Sequence, residues 1–321
     1  MPSRGGLHNA GVSTRALTIV LALQLALGIT VIALLASGRL SLPGAGDAGA
    51  RATAGGPCPG GRPPRARGQR FDGRRAFALL ERQVRIGPRP AGSAASRRLA
   101  QRLRRALPRG RFQAVPGGLR NVVGTVAGRD RTRRVVIGAH YDTKDMPGFV
   151  GANDGAGGTA AVVELARSTR PRTIGPTLVF VLFDGEESPA GTPNGEFEAR
   201  GLRGSKVAAR AYRGAEAMIL LDFVADRRLS IPREGNSNPA LWSRLRAAAQ
   251  ASGVGCAFPA QTGGAVIDDH VPFLRAGVPA IDLIDFGFDC FHRRCDDLSA
   301  VSERSLDASG EAVAQLISTL R

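Results

Sequence analysis

Apolar residues along most of the chain follow either the spacing of amphipathic helices or the short continuous runs of buried strands. Apolar positions three and four apart predict helices over residues 73–85, 93–107, 157–167, 203–212, 239–251 and 303–320. Continuous apolar runs predict strands over residues 121–126, 134–139, 177–183, 217–224 and 278–284. Strands that alternate with helices predict an α/β fold, with a mixed, largely parallel central sheet flanked by helices.

The N-terminal part of the chain has a different pattern. Residues 16–36 form an uncharged apolar run that as a helix is about 31 Å long, enough to cross the hydrocarbon core of a membrane. We expect a transmembrane signal-anchor helix there, after a tail of residues 1–15. A cleaved signal peptide is the alternative, and a buried helix a remote one. Residues 37–70, rich in Gly, Pro and Arg, predict a flexible linker before a domain of residues 71–321. That domain is expected outside the cytoplasm, anchored to the membrane or, after cleavage, secreted.

The charge of the chain is unevenly distributed. Its 321 residues carry a net charge of +17, yet residues 1–110 hold 19 Arg against three acidic residues, while residues 111–321 hold 25 basic and 24 acidic residues. A nucleic-acid-binding protein needs basic residues clustered on a folded face, usually beside aromatic side chains, and only 5% of these residues are aromatic. We therefore expect residues 16–36 to bind the protein to a membrane. We do not expect nucleic acid to be a partner.

Acidic residues and histidines collect where the predicted strands end. The segments are His140–Asp142, Asn153–Gly155, Asp184–Glu187, Asp222, Asp268–His270 and His292. The carboxyl ends of parallel strands form the ligand-binding edge of an α/β sheet, so these segments are expected to meet there. The alternative to a shared site is that these polar residues only end their strands and have no common function. Imidazole and carboxylate groups without cysteine pairs at finger spacing favour a catalytic zinc site. In the pair Glu186–Glu187, one residue would ligate the metal and its neighbour would transfer protons.

Five motifs, taken in order, resemble those of a known family. The motifs H-Y-D, N-D-G, D-G-E-E, L-D and D-D-H-V-P-F-L, within residues 75–320, are similar to those of the zinc exopeptidases that include bacterial aminopeptidases and animal-type glutaminyl-peptide cyclotransferases. The resemblance implies an α/β zinc-dependent catalytic domain. It implies a zinc ion held by Asp154, Glu187 and His292, with Glu186 as the proton-transfer residue.

The same resemblance leaves the number of metal ions open. In the dinuclear aminopeptidases of this family, residues that correspond to His140 and Asp222 hold a second zinc ion, and the residue that corresponds to Asp154 bridges both ions. The residues of this second site persist in the cyclotransferase branch, so their presence decides nothing. The resemblance also implies that the carboxylate of Asp142 orients His140.

The motifs are closest to those of the cyclotransferase branch. In that branch a single zinc ion polarises the γ-carbonyl of an N-terminal glutamine, and Glu186 would pass a proton from the attacking α-amine to the leaving ammonia. Asp222 and Asp268 would then be catalytic hydrogen-bonding partners. The alternative is an aminopeptidase, in which Glu186 is the general base toward the attacking water. Both activities take the amino end of a peptide or protein as substrate. An inactive, membrane-tethered binding module is a remote alternative.

Two positions depart from the cyclotransferase pattern. Cyclotransferases carry a Trp soon after the Glu-Glu pair and another just before the last ligand. In this chain the first region reads Ser188-Pro189-Ala190-Gly191, and Phe291 precedes His292. The only Trp, Trp242, lies on a predicted helix. The wall of the substrate pocket is therefore expected to differ.

The four cysteines are too few for a disulfide scaffold. Cys290 and Cys295 bracket His292, and in an oxidising compartment we expect a short-loop disulfide that stiffens the ligand loop. A thiolate metal site is the less favoured alternative. For Cys58 and Cys256 the sequence leaves pairing, free thiols and a bond to another chain open.

Overall fold

The computed structural model describes residues 58–321. The predicted tail of residues 1–15, the predicted membrane helix of residues 16–36 and the first part of the predicted linker lie outside the described residues. Within residues 58–321, no helix combines the length and apolar character that a membrane span requires.

A six-stranded sheet forms the centre of the described part of the chain. Its strands are β1 (Arg111–Val115), β2 (Leu119–Val126), β3 (Asp130–His140), β4 (Pro176–Phe183), β5 (Ala217–Leu221) and β6 (Ala280–Leu283). The spatial order is β1-β2-β4-β3-β5-β6. Strands β4, β3, β5 and β6 are mutually parallel, whereas β1 and β2 are antiparallel to their neighbours. The prediction of a mixed, largely parallel sheet is confirmed.

Helices cover both faces of this sheet. They are α1 (Gly73–Val84), α2 (Ala94–Ala106), α3 (Ala156–Ser168), α4 (Phe197–Arg200), α5 (Arg203–Ala211), α6 (Pro239–Ala251), α7 (Val271–Arg275) and α8 (Glu303–Ser318). Successive residues of β3 point to opposite faces. Ile137 packs in the larger apolar cluster, with α1, α2, α3, α6 and α8, while Val136 packs in the smaller one with α5 and α7.

Local sequence fixes several helix starts. The side chains of Asp72, Ser93, Asn238 and Ser302 each accept a hydrogen bond from the backbone N–H three residues later, at the N-termini of α1, α2, α6 and α8. Such caps satisfy amide groups that have no partner within the helix. Strand β1 was missed because it is an edge strand whose residues are mostly exposed or half-buried, so it lacks a continuous apolar run.

Residues 58–70 correct the predicted linker. They are attached to the domain, because Cys58 is buried and forms a disulfide with Cys256. Arg67 N–H donates to the carbonyl of Ser252 at 2.8 Å, and Arg70 N–H donates to the buried carboxylate of Glu311 at 3.0 Å. The composition of this segment, rich in Gly, Pro and Arg, predicted a flexible tether. Composition does not show that Cys58 forms a disulfide with Cys256. The folded domain therefore includes residues before 71.

Candidate metal centre

The sheet brings the predicted chemical groups to one edge. His140 is the last residue of β3, Glu186 and Glu187 follow β4, and Asp222 follows β5. Asp154 lies immediately before the N-terminal cap of α3, where Gly155 has a positive φ of 90°. A Cβ at Gly155 would lie 2.6 Å from the backbone oxygen of Asp142, so glycine permits this close approach. Parallel strands that end together thus bring these candidate residues to one edge of the sheet.

The first group of potential metal ligands is Asp154, Glu187 and His292. His292 Nε2 lies 3.4 Å from Asp154 Oδ2 and 3.3 Å from Glu187 Oε1. These two carboxylate oxygens are buried and have no hydrogen-bond partner among residues 58–321. Zinc bonds of about 2.0–2.1 Å place neighbouring ligand atoms of a tetrahedron about 3.3–3.4 Å apart. The spacing and the unpaired oxygens therefore fit a zinc ion.

The second group is His140, Asp154 and Asp222. His140 Nε2 lies 3.2 Å from Asp154 Oδ1 and 3.2 Å from Asp222 Oδ1. Asp154 is thus shared: one of its oxygens faces His140 and the other faces His292. This arrangement suits a carboxylate that bridges two metal positions. The residues present can accommodate one zinc ion or two.

The carboxylate of Asp142 has a different set of partners from the one expected. It accepts hydrogen bonds from the backbone N–H groups of Gly185, Glu186 and Glu187, at 3.1, 3.3 and 3.2 Å. His140 Nδ1 lies 3.1 Å from the backbone oxygen of Asp142 and 3.8 Å from its carboxylate. Asp142 therefore orients His140 mainly through its main chain. Its side chain fixes the turn that carries both glutamates.

Burial and crowded negative charge change the proton affinities at this edge. Burial, together with the charge of Glu187, raises the pKa of Glu186 well above its usual value. Burial and the charge of Asp268 raise the pKa of Asp222 in the same way. Burial opposes ionisation of Glu187 too, but the neighbouring imidazole of His292 and the charge of Lys144 outweigh it and lower the pKa of Glu187. Such an excess of buried carboxylates favours a bound cation.

Asp268 belongs to a second layer of buried polar groups, which includes two residues that the sequence analysis did not single out. Its Oδ1 accepts a hydrogen bond from the backbone N–H of Asp269, and its Oδ2 is unpaired. Behind it, His270 lies between Glu234 and Asp282, with Nε2 3.2 Å from Glu234 Oε2 and Nδ1 3.6 Å from Asp282 Oδ2. Glu234 and Asp282 come from separate parts of the chain without a recognisable motif, so only the fold reveals them.

Glu234 connects this layer to pH-dependent stability. Burial alone would raise its pKa, but the close imidazole of His270 and hydrogen bonds from two backbone N–H groups outweigh burial and lower the pKa to about 2. The folded protein therefore binds this proton more weakly than the unfolded chain does. The ionised Glu234 therefore stabilises the folded state. This stabilisation is complete at pH values above the ordinary pKa of 4.5 and is lost as the pH falls towards 2.

We expect Glu234→Gln to lower the free energy of unfolding at pH 7 by about 3 kcal/mol, because lowering the pKa from 4.5 to about 2 corresponds to about 3.4 kcal/mol of stabilisation. The difference between variant and wild type should shrink as the pH falls from 4.5 towards 2. Urea unfolding of the zinc-free proteins at several pH values measures both quantities. The exposed Glu216 pairs with Arg133, so Glu216→Gln is a control expected to change stability by less than about 1 kcal/mol. A Glu234 effect that is the same at every pH would contradict this explanation.

A cleft of ≈ 630 Å³ lies over both ligand groups. One wall is aromatic: Phe291 stacks on His292 with ring centroids 3.9 Å apart, and the half-exposed Phe286 lies 5.0 Å from Phe291. Phe223 completes this wall at 5.6 Å from Phe291. Residues 188–192, which replace the tryptophan region of the cyclotransferase pattern, also line the cleft. Three phenylalanines thus form an aromatic wall of the cleft.

Two basic residues, neither of them predicted from the sequence, contact the acidic residues or the loop that carries them. Lys144 Nζ donates to Glu187 Oε2 at 2.8 Å, which leaves Glu187 Oε1 directed at His292. Arg89 is fully buried and donates to the backbone oxygens of Tyr141, Val150 and Gly151. Arg89, from the segment between α1 and α2, thereby holds together two parts of the loop between β3 and α3, which also carries Asp154.

Imidazole and carboxylate ligands at the carboxyl ends of a largely parallel sheet, with a further carboxylate beside them, define a metal-dependent enzyme. Residues 121–317 match the sequence profile of peptidase family M28. The chain therefore belongs to peptidase family M28, a family of enzymes. The family agrees with the resemblance found in the motifs and with the expected zinc cofactor.

Solved structures and curated relatives extend this assignment. A glutaminyl cyclase of Porphyromonas gingivalis is 31% identical, with a TM-score of 0.69 over 78% of this chain and 99% of that chain. A leucine aminopeptidase precursor of Bacteroides thetaiotaomicron is 26% identical, with a TM-score of 0.70 over 78% of this chain and 98% of that chain. The glutaminyl-peptide cyclotransferase of Bos taurus is 27% identical over 54% of this chain and 58% of its own length. The chain spans about half the length of the first curated relatives it matches.

Proposed function

We propose that this protein is a zinc-dependent enzyme acting at the amino end of peptides, with glutaminyl-peptide cyclotransferase activity as the leading candidate. The observation that carries this proposal is the Asp154–Glu187–His292 ligand group with the buried carboxylate of Glu186 beside it, at the base of a cleft. The similarity to a glutaminyl cyclase over nearly the whole length of that protein supports the choice of reaction.

In this reaction the α-amine of an N-terminal glutamine attacks its own γ-carbonyl carbon. Zinc, when held by Asp154, Glu187 and His292, would polarise that carbonyl group. Glu186 would accept a proton from the α-amine and deliver it to the amide nitrogen, which leaves as ammonia. The raised pKa of Glu186 suits a group that holds the proton between these two transfers. Asp222 and Asp268, which line the same cleft, would accept hydrogen bonds from the α-amine.

Aminopeptidase activity is the second candidate. The His140–Asp154–Asp222 group is compatible with it, because those residues could hold the second metal ion that such an enzyme would use. In this reaction Glu186 would accept a proton from the attacking water and pass it to the leaving amine. The similarity to a leucine aminopeptidase precursor supports this candidate to a comparable extent.

A direct comparison of products tests both candidates. The purified, zinc-loaded protein is given a peptide with N-terminal glutamine and, separately, leucine p-nitroanilide. We expect pyroglutamyl peptide and ammonia in equal amounts from the first substrate, with little p-nitroaniline from the second. Release of free amino acids would instead establish the aminopeptidase. A protein that binds zinc but converts neither substrate would contradict both.

The structure also bears on where the enzyme acts. Two disulfides, Cys58–Cys256 and Cys290–Cys295, support a location outside the cytoplasm, because disulfides persist in oxidising compartments. We propose that residues 16–36 deliver the domain there, either as a membrane anchor or as a cleaved signal.

A further inference from the structure

The loop that carries His292 has an unusual backbone. His292 has a φ of +49°, in the left-handed region that residues other than glycine seldom occupy. A residue held in this region without being glycine depends on its surroundings to keep it there. His292 is also a member of the first ligand group, so this conformation determines where one potential metal-binding nitrogen lies.

Side-chain packing provides only part of this restraint. The side chain of His292 is 29% exposed, compared with 3% for Asp154 and 3% for Glu187. Its ring contacts are Phe291, stacked on it, and Phe149, whose ring meets it edge-on at 6.3 Å. The two carboxylates are therefore fixed by burial, whereas the imidazole depends more on its loop.

The disulfide between Cys290 and Cys295 closes that loop around His292. Two short backbone hydrogen bonds continue the closure, from Arg293 N–H to the oxygen of Cys290 and from Asp296 N–H to the oxygen of Arg293, both at 3.0 Å. The covalent link thus confines the residues on both sides of His292.

The closed loop is also joined to the loop of the other ligand. The carboxylate of Asp296, next to Cys295, accepts hydrogen bonds from Asn153 N–H at 2.7 Å and from Asp154 N–H at 3.0 Å. Because Cys295 adjoins Asp296, the disulfide sets the position of His292 relative to Asp154 as well as its local conformation.

We propose that the Cys290–Cys295 disulfide is a positioning element that holds His292 in its metal-binding conformation, so that opening the disulfide weakens zinc binding while the fold persists. This inference rests on the metal site of the proposed function. It does not depend on which reaction the site catalyses.

The test compares two double variants of the whole protein. Cys290→Ser/Cys295→Ser removes the disulfide around His292, and Cys58→Ser/Cys256→Ser removes the one distant from the ligand loop. Zinc dissociation constants are measured by competition with a chromogenic chelator, and melting temperatures are measured without zinc. We expect the first variant to bind zinc roughly 10–100-fold more weakly, the range for groups that orient a ligand. The control should lower the melting temperature and leave the zinc dissociation constant nearly unchanged.

An unchanged zinc affinity in Cys290→Ser/Cys295→Ser would overturn the proposal, as would an equal loss in both variants. If the first variant does not fold, the folded wild type is reduced mildly and capped with iodoacetamide. Cys295 is exposed whereas Cys58 is buried, so mass spectrometry can confirm selective opening before zinc affinity is measured. A wild-type protein that binds no zinc would also overturn the proposed positioning role of the disulfide. A wild type that binds zinc but turns over neither substrate contradicts only the proposed function.

Discussion

Replacing Glu186 by glutamine is expected to lower kcat by about 10²–10⁴-fold, the usual contribution of a general acid–base group. Glutamine keeps the size of the side chain but cannot accept and return the proton that either candidate reaction transfers. Glu186 is in neither ligand group, so the zinc content should stay at the wild-type level. Steady-state kinetics on the substrate that the wild type converts, with metal analysis of the same samples, measures both effects.

Glu196→Gln provides the matched control for Glu186. Glu196 is exposed, lies on the segment after the same strand and, within residues 58–321, forms an ion pair with Arg200 alone, four residues later. Its replacement should leave kcat within about twofold of the wild type, as expected for an exposed ion pair of small energy. Full activity of Glu186→Gln would remove the proposed proton-transfer role. A loss of zinc in that variant would mean that Glu186 acts through the metal site.

Asp154→Asn is expected to have the largest effect on metal binding, because Asp154 belongs to both ligand groups. The apparent free energy of zinc binding at protein sites is about 10–16 kcal/mol, or about 3 kcal/mol for each of four ligands. Loss of one charged ligand should therefore weaken zinc binding by roughly 10²–10³-fold. Equilibrium dialysis against a zinc buffer, followed by elemental analysis, measures this loss.

Asp145→Asn separates coordination from the general negative charge of the cleft. Asp145 is exposed and lines the same cleft but lies in neither ligand group. We expect its zinc affinity to change by less than about threefold, since an exposed charge contributes little. Equal losses in the two variants would contradict a bridging role for Asp154.

There is a physical reason why the sequence could predict which edge of the sheet carries the candidate metal ligands. In an α/β fold, strand ends can be located from apolar runs, and the residues just after them converge. His140, Glu187, Asp222 and His292 were singled out in this way, and the motif resemblance added which residues would hold the metal. The five predicted strands were located within a few residues, since buried strands are continuously apolar, whereas the edge strand β1 was not predicted.

Contacts between distant segments could not be predicted in the same way. The three amide donors to the Asp142 carboxylate depend on the conformation of the turn after β4. Glu234 meets His270 only because two loops fold together. The pairing of Cys58 with Cys256 crosses 198 positions of sequence, and nothing in the composition of residues 37–70 indicates it.

The attachment of residues 58–70 decides how a soluble fragment of this enzyme should be designed. A fragment beginning at Phe71, where the composition changes, would leave Cys256 with an unpaired thiol and Glu311 without the amide of Arg70. An unpaired cysteine invites dimerisation and mixed disulfides during expression. A boundary placed before Cys58 keeps both attachments, so expression vectors should encode the protein from a residue upstream of that cysteine.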